Sequence, residues 1–388
     1  MSKAQRIGLV ALAVFNIGVA HAGLNPTYPL GTTAGTWEVD RYAPFAFVNA
    51  GTLLGRSNVL DLGISSADSL ANRPPAFSST FYNTQGRGFQ VSQTNYAVIY
   101  GSVYLPSAWT HSTGATDYRR SDLWGVISPA TGGDVCPGSA CNLFPILDFT
   151  NADPSYPSTT NAATGRYRVF DTSIGFVNLA TPVAYNQWND LCTVWTGGDI
   201  RHYVNGALVY TQTDISQADT SFGPLNKFTR MIVQAYNFGS SYDVNWSGLG
   251  AGTVTSTTVT GSGQTSSPGA PFAQTLTVTV LDAGGAPIPC VPVTFSAPGS
   301  GPSATLSAAS AITDRAGAAS VTATANSTLG TYSIGVQIPG IPVPPPIVLT
   351  NGFPAAPAAP VPTLPLPGLL VLGGMLAALA ARAISARR

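Results

Sequence analysis

Apolar residues alternate with polar ones through much of this chain, and between Gly23 and Pro360 they fall nowhere into amphipathic helical spacing. Leu60, Leu62 and Ile64 enclose Asp61 and Gly63. Arg166-Tyr167-Arg168-Val169 alternates cleanly, and Met231, Val233 and Ala235 alternate with Ile232, Gln234 and Tyr236. Ala97-Val98-Ile99-Tyr100 is apolar throughout, the pattern of a strand covered on both faces. Residues 200–213 hold two strand-like halves around Asn205-Gly206, a pair that tolerates the positive φ angles of a tight hairpin. The 41 Gly and 31 Pro suit many turns between short strands. The expected fold class is all-β.

Composition divides the body in two. All six Trp and 14 of the 15 Tyr precede Gly250; after it Thr, Ala, Ser, Gly and Pro dominate and Tyr332 stands alone. The glycine-rich run Gly248–Gly252 marks the junction. Residues 23–250 are expected to form one β-sandwich, 253–350 a second, and 351–360 a Pro/Ala linker. Only 9% of residues are charged, which excludes charge-driven disorder. Lys3, Arg6, Arg382, Arg387 and Arg388 lie at the chain ends; setting those five aside leaves 12 bases against 17 acids, a net −5 across the middle. An acidic body without a basic stripe excludes nucleic acid as the expected partner.

The two ends read as addresses. Residues 1–22 have the layout of a helical signal peptide: Lys3 and Arg6, then apolar Ile7–Val19, then Ala20-His21-Ala22 with cleavage after Ala22. At the other end Val361-Pro362-Thr363-Leu364 precedes the apolar stretch Leu366–Ala381 and the bases Arg382, Arg387 and Arg388. The expectation is a short C-terminal transmembrane helix with its arginines on the cytoplasmic side. Residues 361–388 resemble bacterial sorting signals of the IPTL-CTERM type, relatives of the PEP-CTERM signals. Val361 replaces the usual Ile, and Pro365-Leu366-Pro367 departs from the usual Ser-Glu-Trp. The resemblance implies contact with the membrane through the C-terminal helix and a sorting or processing enzyme as partner. The location it implies is the cell envelope or cell surface, or the medium after processing. A plain tail anchor is the alternative.

Two further resemblances concern the body. Trp188 to Tyr210, with the Val204-Asn205-Gly206 hairpin, resembles concanavalin-like and laminin-G-like jelly rolls. Residues 253–350 resemble bacterial Ig-like domains of the Big-1 (invasin/intimin) class. The matching segments are Leu-Thr-Val-Thr-Val followed by Asp282-Ala283-Gly284-Gly285-Ala286-Pro287, Val291-Pro292-Val293-Thr294-Phe295, and Thr313-Asp314-Arg315-Ala316-Gly317. Domains of that class act as spacers in surface proteins, so the resemblance implies reach and no chemistry. The expected architecture is a jelly-roll β-sandwich followed by an Ig-like β-sandwich.

Catalytic signals are scarce. Sandwich glucanases resembling the first domain carry two Glu in a Glu-x-Asp-x-x-Glu pattern, which a chain with Glu38 as its only Glu cannot contain. Glu38 and Asp40 share one strand face and are the weak catalytic alternative; solvated carboxylates explain them as well. His202 reads as structural. Exposed aromatics bind sugar rings without catalytic carboxylates, and the candidates are Tyr42, Trp109, Tyr118, Trp124 and Tyr156. No cofactor is required; calcium is the one ion the spacing of Asp148, Asn151 and Asp153 admits, and an Asx-turn explains those three equally. Cys136 and Cys141 flank a four-residue turn and are expected to form a local disulfide. Cys192 is expected to be a buried thiol and Cys290 to lack a partner. The preferred reading is an exported, non-enzymatic, adhesin-like surface protein whose first sandwich binds a polysaccharide or matrix ligand. A divergent glycoside hydrolase and a purely structural envelope protein are the alternatives.

Overall fold

The computed structural model describes residues 37–41, 43–68, 84–94, 96–110, 118–130, 141–151, 165–237, 241–353 and 366–386. Two seven-stranded antiparallel sheets face each other in the first domain. The first sheet runs in spatial order β1 (Trp37–Arg41), β4 (Thr84–Thr94), β13 (Leu225–Tyr236), β6 (Arg120–Pro129), β7 (Ile146–Thr150), β8 (Arg166–Asp171) and β9 (Gly175–Asn178). The second runs β12 (Ala207–Gln212), β11 (Ile200–Val204), β10 (Gln187–Trp195), β5 (Ala97–Leu105), β14 (Tyr242–Thr253), β3 (Leu60–Ile64) and β2 (Ala46–Asn49). Alternation decides which side chains turn inward. Leu123, Leu147, Phe149, Val169, Met231 and Val233 of the first sheet meet Ile99, Trp195 and Trp246 of the second in one core.

The second domain is a smaller sandwich. Its largest sheet has five strands, including Pro292–Ser296, Gly330–Gln337 and Ile347–Asn351, and faces a three-stranded sheet centred on Leu276–Leu281. Val278, Val293, Phe295, Ile334 and Leu349 fill the space between.

How the two domains meet differs from the sequence expectation in three respects. The glycine-rich junction Gly248–Gly252 is itself strand, β14 continuing through it to Thr253. On β14, Gly250 pairs with Tyr100 and Gly252 with Val98. A Cβ at Gly252 would collide with the Ile288 side chain, so the missing side chains make room for the neighbouring domain. The second domain is also docked, not extended. Tyr96, Val98, Cys192, Val194 and Tyr203 share one apolar cluster with Val254, Ile288, Cys290 and Ile338. This explains Ala97–Tyr100: Ala97 and Ile99 face the sandwich core while Val98 faces the second domain. Finally, Cys192 and Cys290 are joined in a disulfide that links the domains across 98 residues. The free-thiol expectation failed because alternation puts Cys192 on the outer face, under the second domain. Cys141 is disulfide-bonded as well; Cys136, its expected partner, lies outside the described residues.

A helix, α1, spans Leu366–Ser385. Among the described residues no helix is long and apolar enough to cross a membrane. The expected transmembrane helix is thus not found among the described residues; Arg382 lies in the last turn of α1. Ala20, Ala22, Val361, Pro362, Thr363, Leu364, Arg387 and Arg388 lie outside the described residues.

Candidate functional site

Docking closes much of one broad face of the first domain; the other belongs to the outer side of the first sheet. There the strand registers align one residue from each strand into a continuous row: Asp40, Gly86, Gln234, Asp122, Asp148, Arg168 and Asn178. Neighbouring strands lie ~4.8 Å apart, so the row spans about 29 Å. The next row reads Glu38, Gly88, Ile232, Trp124, Ile146, Phe170 and Phe176. A polar band thus lies beside a largely apolar, aromatic one.

The centre of the polar band is an ion-pair network buried to near-complete exclusion of solvent. Arg168 grips Asp148 with two bonds, Nε to Oδ1 at 3.1 Å and Nη2 to Oδ2 at 2.7 Å. Arg120 Nε bonds Asp122 Oδ1 and also reaches Asp148 Oδ2 at 2.9 Å. Gln234 donates to Asp122 Oδ2 at 3.0 Å. Burial disfavours the charge on Arg120, but Asp122 and then Asp148 outweigh it and hold the guanidinium well above the usual arginine range. Burial pushes Asp122 up, with Arg120 opposing. The guanidiniums also stack on aromatic rings: Arg168 lies 4.3 Å from the Phe176 centroid and Arg120 4.7 Å from that of Tyr236.

Groups at both ends of the face are reachable. At the β1 end Arg230 binds Glu38, and Gln90 donates to Glu38 Oε2 at 3.2 Å. At the β9 end Phe170 and Phe176 pack edge-on at 5.1 Å, half-buried, beside exposed Asn178, which accepts from Arg166 Nε at 2.9 Å. At its β9 end the face can present two rings and a polar amide to a ligand, while its centre is closed to solvent. Its carboxylates are poorly placed as acid and base, because Asp122, Asp148 and Glu38 are each held by a guanidinium.

The sequence candidates distribute as follows. Glu38 and Asp40 do lie on one face of β1, at the edge of this surface. Trp124 lies on the same outer face but is buried among Val126, Ile232, Phe144 and Ile146. Trp109 is not a loop aromatic: a 3-10 turn over Ser107–Trp109 tucks it into the core, 5.9 Å from Phe149 and 5.4 Å from Tyr242. Tyr118 is half-buried just before β6. Tyr42, Tyr156 and Asp153 lie outside the described residues. Asp148 and Asn151 do not converge on a shared ion site: Asp148 faces the two arginines, and Asn151 Oδ1 accepts from the Arg119 amide at 2.7 Å. Among the described residues no three His, Cys, Asp or Glu side chains group to hold a metal. Sequence reasoning missed Arg120, Asp122, Arg168, Gln234, Phe170 and Phe176. The usable signal was Arg120-x-Asp122 and Arg166-x-Arg168, charges repeating with period two on strands otherwise apolar.

Geometry and register define a two-domain, disulfide-linked β protein with one patterned sheet face. Residues 272–346 match the family model "Bacterial Ig-like domain (group 1)". No curated protein sequence matches the chain. Among solved structures, the chain is similar to the marine PL7 alginate lyase AlyA1 from Zobellia galactanivorans, at 12% identity, covering 57% of this chain and 96% of that one, with a TM-score of 0.35. It is similar to SCLam, a non-specific endo-beta-1,3(4)-glucanase from family GH16, at 11% identity, 57% and 88% coverage and a TM-score of 0.32. A sialidase is similar at 10% identity and a TM-score of 0.31, over 56% of this chain and only 17% of that one.

Proposed function

We propose that this is an exported bacterial surface protein that binds an extended polysaccharide, without cleaving it, along the outer face of its first sheet. The observation that carries the reading is the reachable β9 end of this face, where the half-buried rings of Phe170 and Phe176 stand beside exposed Asn178 and are backed by the buried arginine–aspartate network. Export is supported by the disulfide between Cys192 and Cys290, a bond that persists in oxidising compartments, and by the Ig-like domain. The tail serves sorting: the apolar side chains Leu370, Leu372, Leu376 and Leu379 of α1 stand exposed, packed into neither sandwich core.

The test is retention of the purified, oxidised chain on immobilised polysaccharides, with released reducing sugar recorded in parallel. Retention without sugar release is expected, and a Phe176→Ala/Asn178→Ala double variant, shown by circular dichroism to remain folded, should lose it. Sugar release that disappears in Glu38→Gln or Asp40→Asn would establish the hydrolase alternative instead. Failure to be retained on any polysaccharide would leave the structural reading.

A further inference from the structure

The seam between the domains holds an open cleft of about 900 Å³. Arg56, Ser102, Asp190 and Asn205 of the first domain line it together with Thr313 and Arg315 of the second. We propose that this cleft is a second binding site, which takes a carboxylate-bearing saccharide between the guanidiniums of Arg56 and Arg315.

Charge bookkeeping favours an anion. Arg56 and Arg315 each reach Asp190 Oδ1 only at 3.9 Å, and the same oxygen accepts the Ser102 hydroxyl. The other lining acid, Asp314, turns its Oδ1 to its own loop, accepting from the amides of Ala316 at 2.9 Å and Ala318 at 3.0 Å. Two cations therefore share one loosely held carboxylate. Arg56 Nη1 is buried and has no hydrogen-bond partner, a charged donor whose desolvation is uncompensated until an acceptor arrives. Burial, then repulsion from Arg315, outweighs the attraction of Asp190 and brings Arg56 down to about 10. The guanidinium also lies over the Trp188 ring, 4.6 Å from its centroid. Size and lining indicate a sugar over a bare ion. The volume falls in the ~300–1,000 Å³ range of organic-ligand sites. Ser57, Asn58, Ser102, Asn205, Ser247 and Thr313 line it against a single aromatic, Tyr100, which suits hydroxyls better than a flat base.

This site is independent of the sheet-face reading, and its test separates the two. Isothermal titration of the oxidised chain would compare trigalacturonate, its methyl ester and inorganic sulfate. Trigalacturonate should bind, with hydrogen-exchange protection at residues 54–58 and 312–316, and the uncharged ester should bind about tenfold more weakly or worse. Arg315→Gln and Arg56→Gln should each weaken trigalacturonate about tenfold, while Arg315→Lys retains part of the affinity. The Phe176→Ala/Asn178→Ala variant should bind like the parent. Circular dichroism and unfolding midpoints of the Gln variants guard against mere misfolding, and Arg315 is exposed enough to tolerate the change. Equal binding of ester and acid, sulfate binding as tight as the trimer, protection located elsewhere, or no binding at all would each overturn the proposal.

Discussion

His202 shows how completely a single side chain can be converted from a titrating group into a structural one. It is fully buried on β11, its Nδ1 lies 3.1 Å from the Thr193 hydroxyl, and its ring lies 6.3 Å from that of Tyr210. Burial, opposed by the charge of Asp171, lowers its pKa to about 3. The unfolded value is ~6.5, so between those limits the unfolded chain binds the extra proton and the folded chain does not. The stability involved is complete above pH ~6.5 and is lost as the pH falls, by about 1.4 kcal/mol per unit. Asp61, pushed up to about 6 by burial and then by Asp243, acts with the opposite sign over part of that window. Comparing variants removes the conflict. The stability gap between the parent and His202→Gln, from urea midpoints, should shrink between pH 7 and pH 4.5; a constant gap would show that His202 does not titrate on unfolding. At Arg168 the issue is charge. Arg168→Met leaves the carboxylate of Asp148 buried with only Arg120 beside it, and should cost about 3–5 kcal/mol in the same urea experiment.

Individual elements were legible to different degrees. The Asn205-Gly206 hairpin between β11 and β12 was read from sequence, and both residues take positive φ, 50° and 77°. Gly206 contacts nothing that a Cβ would disturb, so the cost of Gly206→Ala is conformational alone, about 1 kcal/mol by thermal unfolding. β3 over Leu60–Ile64 coincides with the alternating run. By contrast, β6 is buried along its whole length, and its outward Asp122 and Trp124 are as hidden as its inward Leu123. Alternation assigns a residue to a face but says nothing of what covers that face. For the same reason Trp109 passed for a loop aromatic: a single 3-10 turn sends its indole into the core. Gly252 has the reverse character, its value lying in what is absent. Gly252→Val should displace Ile288 and loosen the domain contact, seen as faster hydrogen exchange in residues 286–290 with the first domain's core unchanged.

Across the whole molecule the disulfide matters most. Cys192–Cys290 ties strand β10 to the second domain, whose apolar cluster already extends onto the first. The two domains should unfold in one cooperative calorimetric transition. In a Cys192→Ser/Cys290→Ser variant the loss of a cross-link closing a loop of this length should cost about 2–4 kcal/mol and split the transition in two. A single transition at unchanged temperature would mean that the apolar contact alone couples them. The docked arrangement also changes the mechanical picture: the Ig-like domain braces the outer face of the second sheet and lines the cleft at Arg56 and Arg315.

Period-two alternation, the Asn-Gly hairpin, the aromatic break near Gly250 and the segments resembling a bacterial Ig-like domain were all readable along the chain. Each depends on interactions within a strand, a turn or a short run of neighbours, where local spacing is the physics. Tertiary structure alone decided that Cys192 meets Cys290, that Asp122 and Asp148 stand side by side beneath two arginines, and that Arg56 and Arg315 face one cleft. Those partners are 26 to 259 residues apart in sequence. They meet through strand register and domain docking, which follow from how whole faces bury apolar surface and cannot be read from the spacing within any one strand.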